Sequence, residues 1–284
     1  MKPGALHIFI TREAYLLIAA SMFFGLFVSL SLHGLIPGVE NNPAVDNFIV
    51  LFGELVIALP AILILRQRKV SIRKVLPLNT VSTVTVIMSI IMVLGVIGLV
   101  SVFEVLVTPI FPVPDFLKQL EQGLYEGGLL ANVLLIVAAT LAAPLIEEFL
   151  FRGLLQQSLF YSHGSLVPAI VIPAIVFALF HVAYLFYLPA LVELLCLAVL
   201  LAWLILKTGN ILIPILVHAL FNLSAFTGLL IGAFEDITTL AELGWPWIIT
   251  SILLFGAGWI YFKYMPIFEY ENVYQIPLPH EVEN

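Results

Sequence analysis

Five polar side chains draw attention because their neighbours in the sequence are almost wholly apolar. Glu147 and Glu148 are adjacent within LIEEFLFR, His181 closes VFALFH, and His218 and Asn222 stand four apart in VHALFN. An ionisable group in hydrocarbon costs about 2.5–3.5 kcal/mol on insertion scales, so each requires a partner or a task. A carboxylate with an imidazole activates water by general base catalysis. A second imidazole with a carboxamide donates hydrogen bonds to the oxyanion formed when that water attacks an amide carbonyl. Together the five predict hydrolysis of peptide bonds without a covalent intermediate. The same residue types surround catalytic zinc, and Glu147, His181 and His218 would be the ligands if a divalent metal were bound. The spacing is unlike the HExxH helix motif, so the metal case rests on residue types alone; no cofactor is favoured, and a divalent metal such as zinc stays an alternative.

Spacing assigns unequal roles. Glu148 and Arg152 are four apart on one helix face, the separation of an intrahelical ion pair. Glu147 then points about 100° away around the axis, free to face the bundle interior as a general base. Phe177 lies four residues before His181, on the same face. His181 alone would suit a satisfied core histidine, and His218 with Asn222 would suit interhelical hydrogen bonding. Counted at about 1.5 Å per residue from the basic ends of their helices, however, all three groups lie roughly 10–20 Å deep, which one shared site explains most simply. Glu54, Glu104 and Glu193 fall near the opposite ends of their spans, where a carboxylate reaches water or a headgroup, and are expected to be interfacial.

The elements that must position these residues are membrane helices. Hydrophobic residues are 62% of the 284 and charged residues 10%, too few for a surface in water. About eight apolar spans are expected, near 14–36, 48–65, 81–108, 129–158, 166–187, 189–206, 211–232 and 245–264. The fold class is thus all-α, a polytopic helix bundle forming one integral membrane domain. Within it, 1–128 holds the first spans and an amphipathic segment at 112–128, 129–232 is the core with the polar residues, and 233–284 is a last span with an acidic tail. The first apolar run, from Tyr15 to Leu35, is too long for a signal-peptide core and is expected to remain as a span. Threaded this way, ten of the 11 basic residues fall on one side, Lys118 excepted, with Arg66, Arg68, Lys69, Arg73 and Lys74 crowded into one loop. That bias predicts both termini on the cytoplasmic side of the plasma (inner) membrane, with the lipid bilayer as the first partner. A net charge of −7 argues against nucleic acid. One cysteine, Cys196, excludes a disulfide framework and a cysteine metal site.

In order along the chain, EEFLFR (Glu147–Arg152), FALFH (Phe177–His181) and HALFN (His218–Asn222) fit EExxxR, FxxxH and HxxxN. This ordered triple resembles the CPBP family of intramembrane proteases, which comprises type II CAAX prenyl proteases and bacteriocin-immunity (ABI) proteins, over roughly residues 129–232. The resemblance implies that Glu147 and His181 activate the water, that His218 and Asn222 stabilise the oxyanion, and that Glu148, Arg152 and Phe177 support them. The expected substrate is a membrane-associated peptide or protein, cut near the cytoplasmic leaflet; nothing in the sequence indicates prenyl recognition. An ion- or proton-coupled transporter would also hold buried Glu and His, but no repeat of broken helices is present. A non-catalytic immunity or scaffold protein is the other alternative.

Overall fold

In hydrocarbon every backbone group must find its partner inside the protein, so long apolar runs become helices. The computed structural model describes residues 11–119, 127–163, 165–231 and 237–268. Its principal helices are α1 (Thr11–Leu35), α2 (Pro43–Gln67), α3 (Thr83–Val107), α4 (Gly128–Phe160), α5 (Leu166–Phe180), α6 (Leu188–Thr208), α7 (Leu212–Ile231) and α8 (Trp245–Tyr264). Six of them, α1 to α4, α6 and α8, are long and apolar enough to cross a membrane, while α5 and the described part of α7 are apolar but shorter. The chain is an all-α polytopic bundle. Its only strand-like pairing among the described residues is an isolated bridge between Leu78 and Asn210. Residues 120–126 of the expected amphipathic segment, and the tail from 269, lie outside the described residues.

Local chemistry sets several helix ends. Asn42 caps α2 through a bond from the Val45 amide, with Pro43 fixing the first turn, and Ser82 caps α3 through the Thr85 amide. α2 therefore begins five residues before the expected start at 48, which places Glu54 near the middle of the helix.

Contacts between helix ends define two faces. At one, Arg68 at the end of α2 makes a two-nitrogen pair with Glu13 at the start of α1. On the same face the loop before α3 meets the α6–α7 turn, where the Ile211 amide donates to Pro77 and Asn79 donates to the Gly209 carbonyl. Lys207 of α6 also donates to Met265 beyond α8 there. This face carries the exposed basic residues Arg66, Arg68, Lys69 and Arg73. At the other face His33 of α1 meets Asp46 of α2 at 2.6 Å, and Tyr187 donates to the carbonyl of Phe111.

Small residues let α3 and α8 approach closely, the way helices associate where lipid supplies no hydrophobic drive. A Cβ on Gly95 would collide with the backbone of Leu254 and Phe255. Because α3 also walls the central cavity, that contact holds the site's frame. Gly95→Ala should lower stability by about 1–3 kcal/mol, as overpacking does. Gly256→Ala, on the open side of α8 with nothing within 4 Å, should not. Thermal unfolding of the two purified variants in detergent checks the contrast.

Candidate active site

α4 is not a uniform helix. A wide π turn at Ala138–Ala142 and another at Phe149–Leu155 bracket the six-residue α segment Ala143–Glu148 that ends in the two glutamates. Such turns re-aim the side chains that follow and concentrate at functional sites. The first has a cause in the sequence. The Ala143 amide bonds Ala138 O, five residues back, and Pro144 has no amide hydrogen to give. Neither the donor four residues on nor the one five residues on therefore serves Ala139 O. Asn222 of α7 supplies the missing bond, with Nδ2 donating at 2.9 Å.

Glu148 and Arg152 are fully buried and paired at 2.9 Å. The second guanidinium nitrogen donates to Ala198 O of α6 at 3.0 Å, and the guanidinium lies 5.3 Å above the Phe177 ring. The same carboxylate oxygen, Oε1, stands 2.9 Å from Nδ1 of His218. A carboxylate already holding Arg152 only accepts, which assigns the proton to Nδ1. His218 Nε2 then faces Glu147, whose Oε2 lies 3.7 Å away. Glu148 is thus the link from Arg152 to His218, a connection that i,i+4 spacing alone did not reveal. One turn further on, Gln156 donates to Ala202 O at 2.8 Å, so Arg152 and Gln156 form two rungs between α4 and α6.

His181 departs from its expected place inside a span at 166–187. α5 ends at Phe180, and His181 is its C-cap. Its amide bonds Ala178 O, only three residues back, leaving Phe177 O without the usual donor, and the ring Nδ1 takes over that carbonyl at 2.9 Å. A carbonyl can only accept, so Nδ1 carries the hydrogen and Nε2 presents a lone pair. Phe177 joins the parts: its ring packs against His181 at 4.5 Å and His218 at 5.9 Å as well as Arg152.

Glu147, His181, His218 and Asn222 all line one cavity of about 990 Å³. Glu148, Arg152 and Phe177 are not on its wall; they pack behind it. Glu54, Glu104 and Glu193, expected at the lipid interface, line the same cavity, as do Tyr184 and Tyr187. For Glu54 the reason is the earlier start of α2. Sequence reasoning also passed over Pro144, whose position three residues before Glu147 was a visible signal. A zinc site needs three protein ligands converging at about 2.0–2.2 Å. Among the described residues no group of three His, Cys, Asp or Glu is so arranged, so the side chains as placed do not form a metal cradle.

An all-α membrane bundle with a carboxylate–imidazole pair at an internal cavity belongs to the class of polytopic membrane proteins that carry polar chemistry within the bilayer. Residues 129–224, which hold all three motifs, match the model of the family described as type II CAAX prenyl endopeptidase Rce1-like. That segment, about a third of the chain, is similar to the family that the three motifs resemble. Neither the curated proteins nor the solved structures gave a match.

The Asn222–Ala139 bond predicts a thermodynamic coupling. Asn222→Ala leaves a half-buried carbonyl without its protein partner and should cost about 1 kcal/mol. Pro144→Ala restores a backbone donor, so Asn222→Ala should cost markedly less in that background. A double-mutant cycle on thermal unfolding in detergent measures the difference, and strict additivity would contradict the assignment.

Proposed function

We propose that this protein is an intramembrane endopeptidase that hydrolyses peptide bonds of membrane-associated peptides or proteins. Water is activated by Glu147 and His181, and the oxyanion is held by His218 and Asn222. The observation that carries this reading is the setting of His218 at the cavity wall, with Nδ1 held by Glu148 and Nε2 3.7 Å from Glu147. Both termini are proposed to face the cytoplasm from the plasma (inner) membrane.

Glu148 and Arg152 neutralise each other, and Glu147 faces His218 across 3.7 Å; the mechanism uses the carboxylate of Glu147 as the base and His218 with both ring nitrogens protonated. Glu147 takes a proton from water while His181 Nε2 orients it, and the hydroxide oxygen bonds to the carbonyl carbon. The carbonyl oxygen becomes an oxyanion and accepts from protonated His218 Nε2 and from Asn222, whose bond to Ala139 uses one of its two N–H groups. When the C–N bond breaks, the proton held by Glu147 goes to the leaving amine. Glu148, Arg152 and Phe177 touch no reacting atom; they hold His218 and His181 in place. The reaction so written needs no metal or cofactor.

Purified protein incubated with a library of single-span peptides, with products read by mass spectrometry, tests the roles. Glu147→Gln and His181→Ala should lower cleavage by about 10²–10⁴-fold, and His218→Ala and Asn222→Ala by about 10²–10³-fold. Full activity in Glu147→Gln would remove Glu147 as the base, and wild-type protein that cuts no peptide while remaining folded would count for a non-catalytic scaffold. Activity should survive exhaustive chelation; loss on chelation with recovery specific to zinc would overturn the metal-free mechanism.

A further inference from the structure

The cavity that reaches Glu147 is not symmetric between the two faces. Its wall is built from the halves of the helices that lie away from the basic face: residues 97–105 of α3, 135–147 of α4, 190–197 of α6 and 218–226 of α7. Beyond the helices it continues to Pro109, Val113, Tyr187 and Thr238, in the loops of that same end. In the other direction the bundle is closed. Leu150, Phe151, Leu155, Leu201, Leu204 and Ile205 are all fully buried between Glu148 and the basic loops. Arg152 and Gln156, also fully buried, tie α4 to α6 across this plug.

We infer that the cavity is entered from the face opposite the basic loops, so that water and the scissile segment reach Glu147 from the non-cytoplasmic side. Depth along the helices, taken alone, placed the cut near the cytoplasmic leaflet; the closed plug and the position of the cavity's outer residues reverse the direction of approach. Basic residues mark the cytoplasmic face of a membrane protein; Arg12, Arg66, Arg68, Lys69, Arg73 and Lys263 are exposed at the closed end, and Lys118 stands at the open one. The carboxylates of Glu54, Glu104 and Glu193 line the passage and make it a route that water can wet. The substrate class that follows is a membrane protein or peptide whose cleavable segment is presented from outside the cytoplasm. As a claim about substrate this rests on the peptidase reading; as a claim about access it does not, and thiol labelling reads access alone.

The experiment places single cysteines in a Cys196→Ser background. Ala143→Cys and Ser224→Cys lie on the cavity wall on two different helices, and Gln67→Cys lies at the exposed basic end of α2. Right-side-out and inverted membrane vesicles containing the full chain are treated with a membrane-impermeant maleimide. Both wall positions should react at least tenfold faster in right-side-out vesicles, and Gln67→Cys at least tenfold faster in inverted ones. Wall labelling from the same side as Gln67→Cys, or from neither side, would overturn the inference. So would labelling of Gln67→Cys from outside, since the mouth would then face the cytoplasm. Failure of every variant to cut peptides would bear on the peptidase reading and leave the labelling pattern intact.

Discussion

Placing charge where no water can reach it constrains everything else in this bundle. Arg152 and Glu148 are both fully buried, and either one alone would be left as an uncompensated ion costing several kcal/mol. The pair is therefore obligatory, and its remaining valences must also be met. Arg152 does so on Ala198 O and over the Phe177 ring, and Glu148 on His218. Four helices, α4 to α7, are pinned by the needs of one ion pair. The same demand fixes the orientation of the His218 ring, so the requirement for stability and the placement of a side chain at the cavity coincide in one carboxylate oxygen.

Backbone satisfaction is the second constraint, and it too is met by residues at the site. Pro144 breaks the hydrogen-bond ladder of α4, and Asn222 repairs it from another helix. His181 ends α5, and its own ring serves the carbonyl its amide abandons. Asn222 and His181 each have a main-chain bond on one side and the cavity on the other. For these two residues the main chain is the scaffold, and no further buried polar group is spent on them.

Much of this was legible because helical spacing is a local property. Glu148 with Arg152, Phe177 with His181, and His218 with Asn222 are each four apart, and each four-residue step lies on one helix face. The all-α membrane class was equally plain from the long apolar runs. What escaped was of two kinds. Contacts between helices, such as Glu148 to His218, depend on crossing geometry that spacing within one helix does not encode. Ends of apolar runs were misplaced where hydrophobicity continued past the true boundary. The run VAYLFYL hid the end of α5 at Phe180, and weight given to hydropathy over the cap at Asn42 and Pro43 displaced α2 and with it Glu54.

The bond from Asn222 to Ala139 has an implication for how this sequence can change. The acceptor is a main-chain carbonyl, so any residue substituted at 139 still presents it, and the contact is blind to the side chain chosen there. It is acutely sensitive to length. One residue inserted or deleted between Ala139 and Glu147 would keep every motif recognisable while turning the glutamates about 100° from the place where Asn222 anchors the helix. Position 139 is therefore free in composition while the segment is frozen in frame, a ruler whose marks are peptide groups.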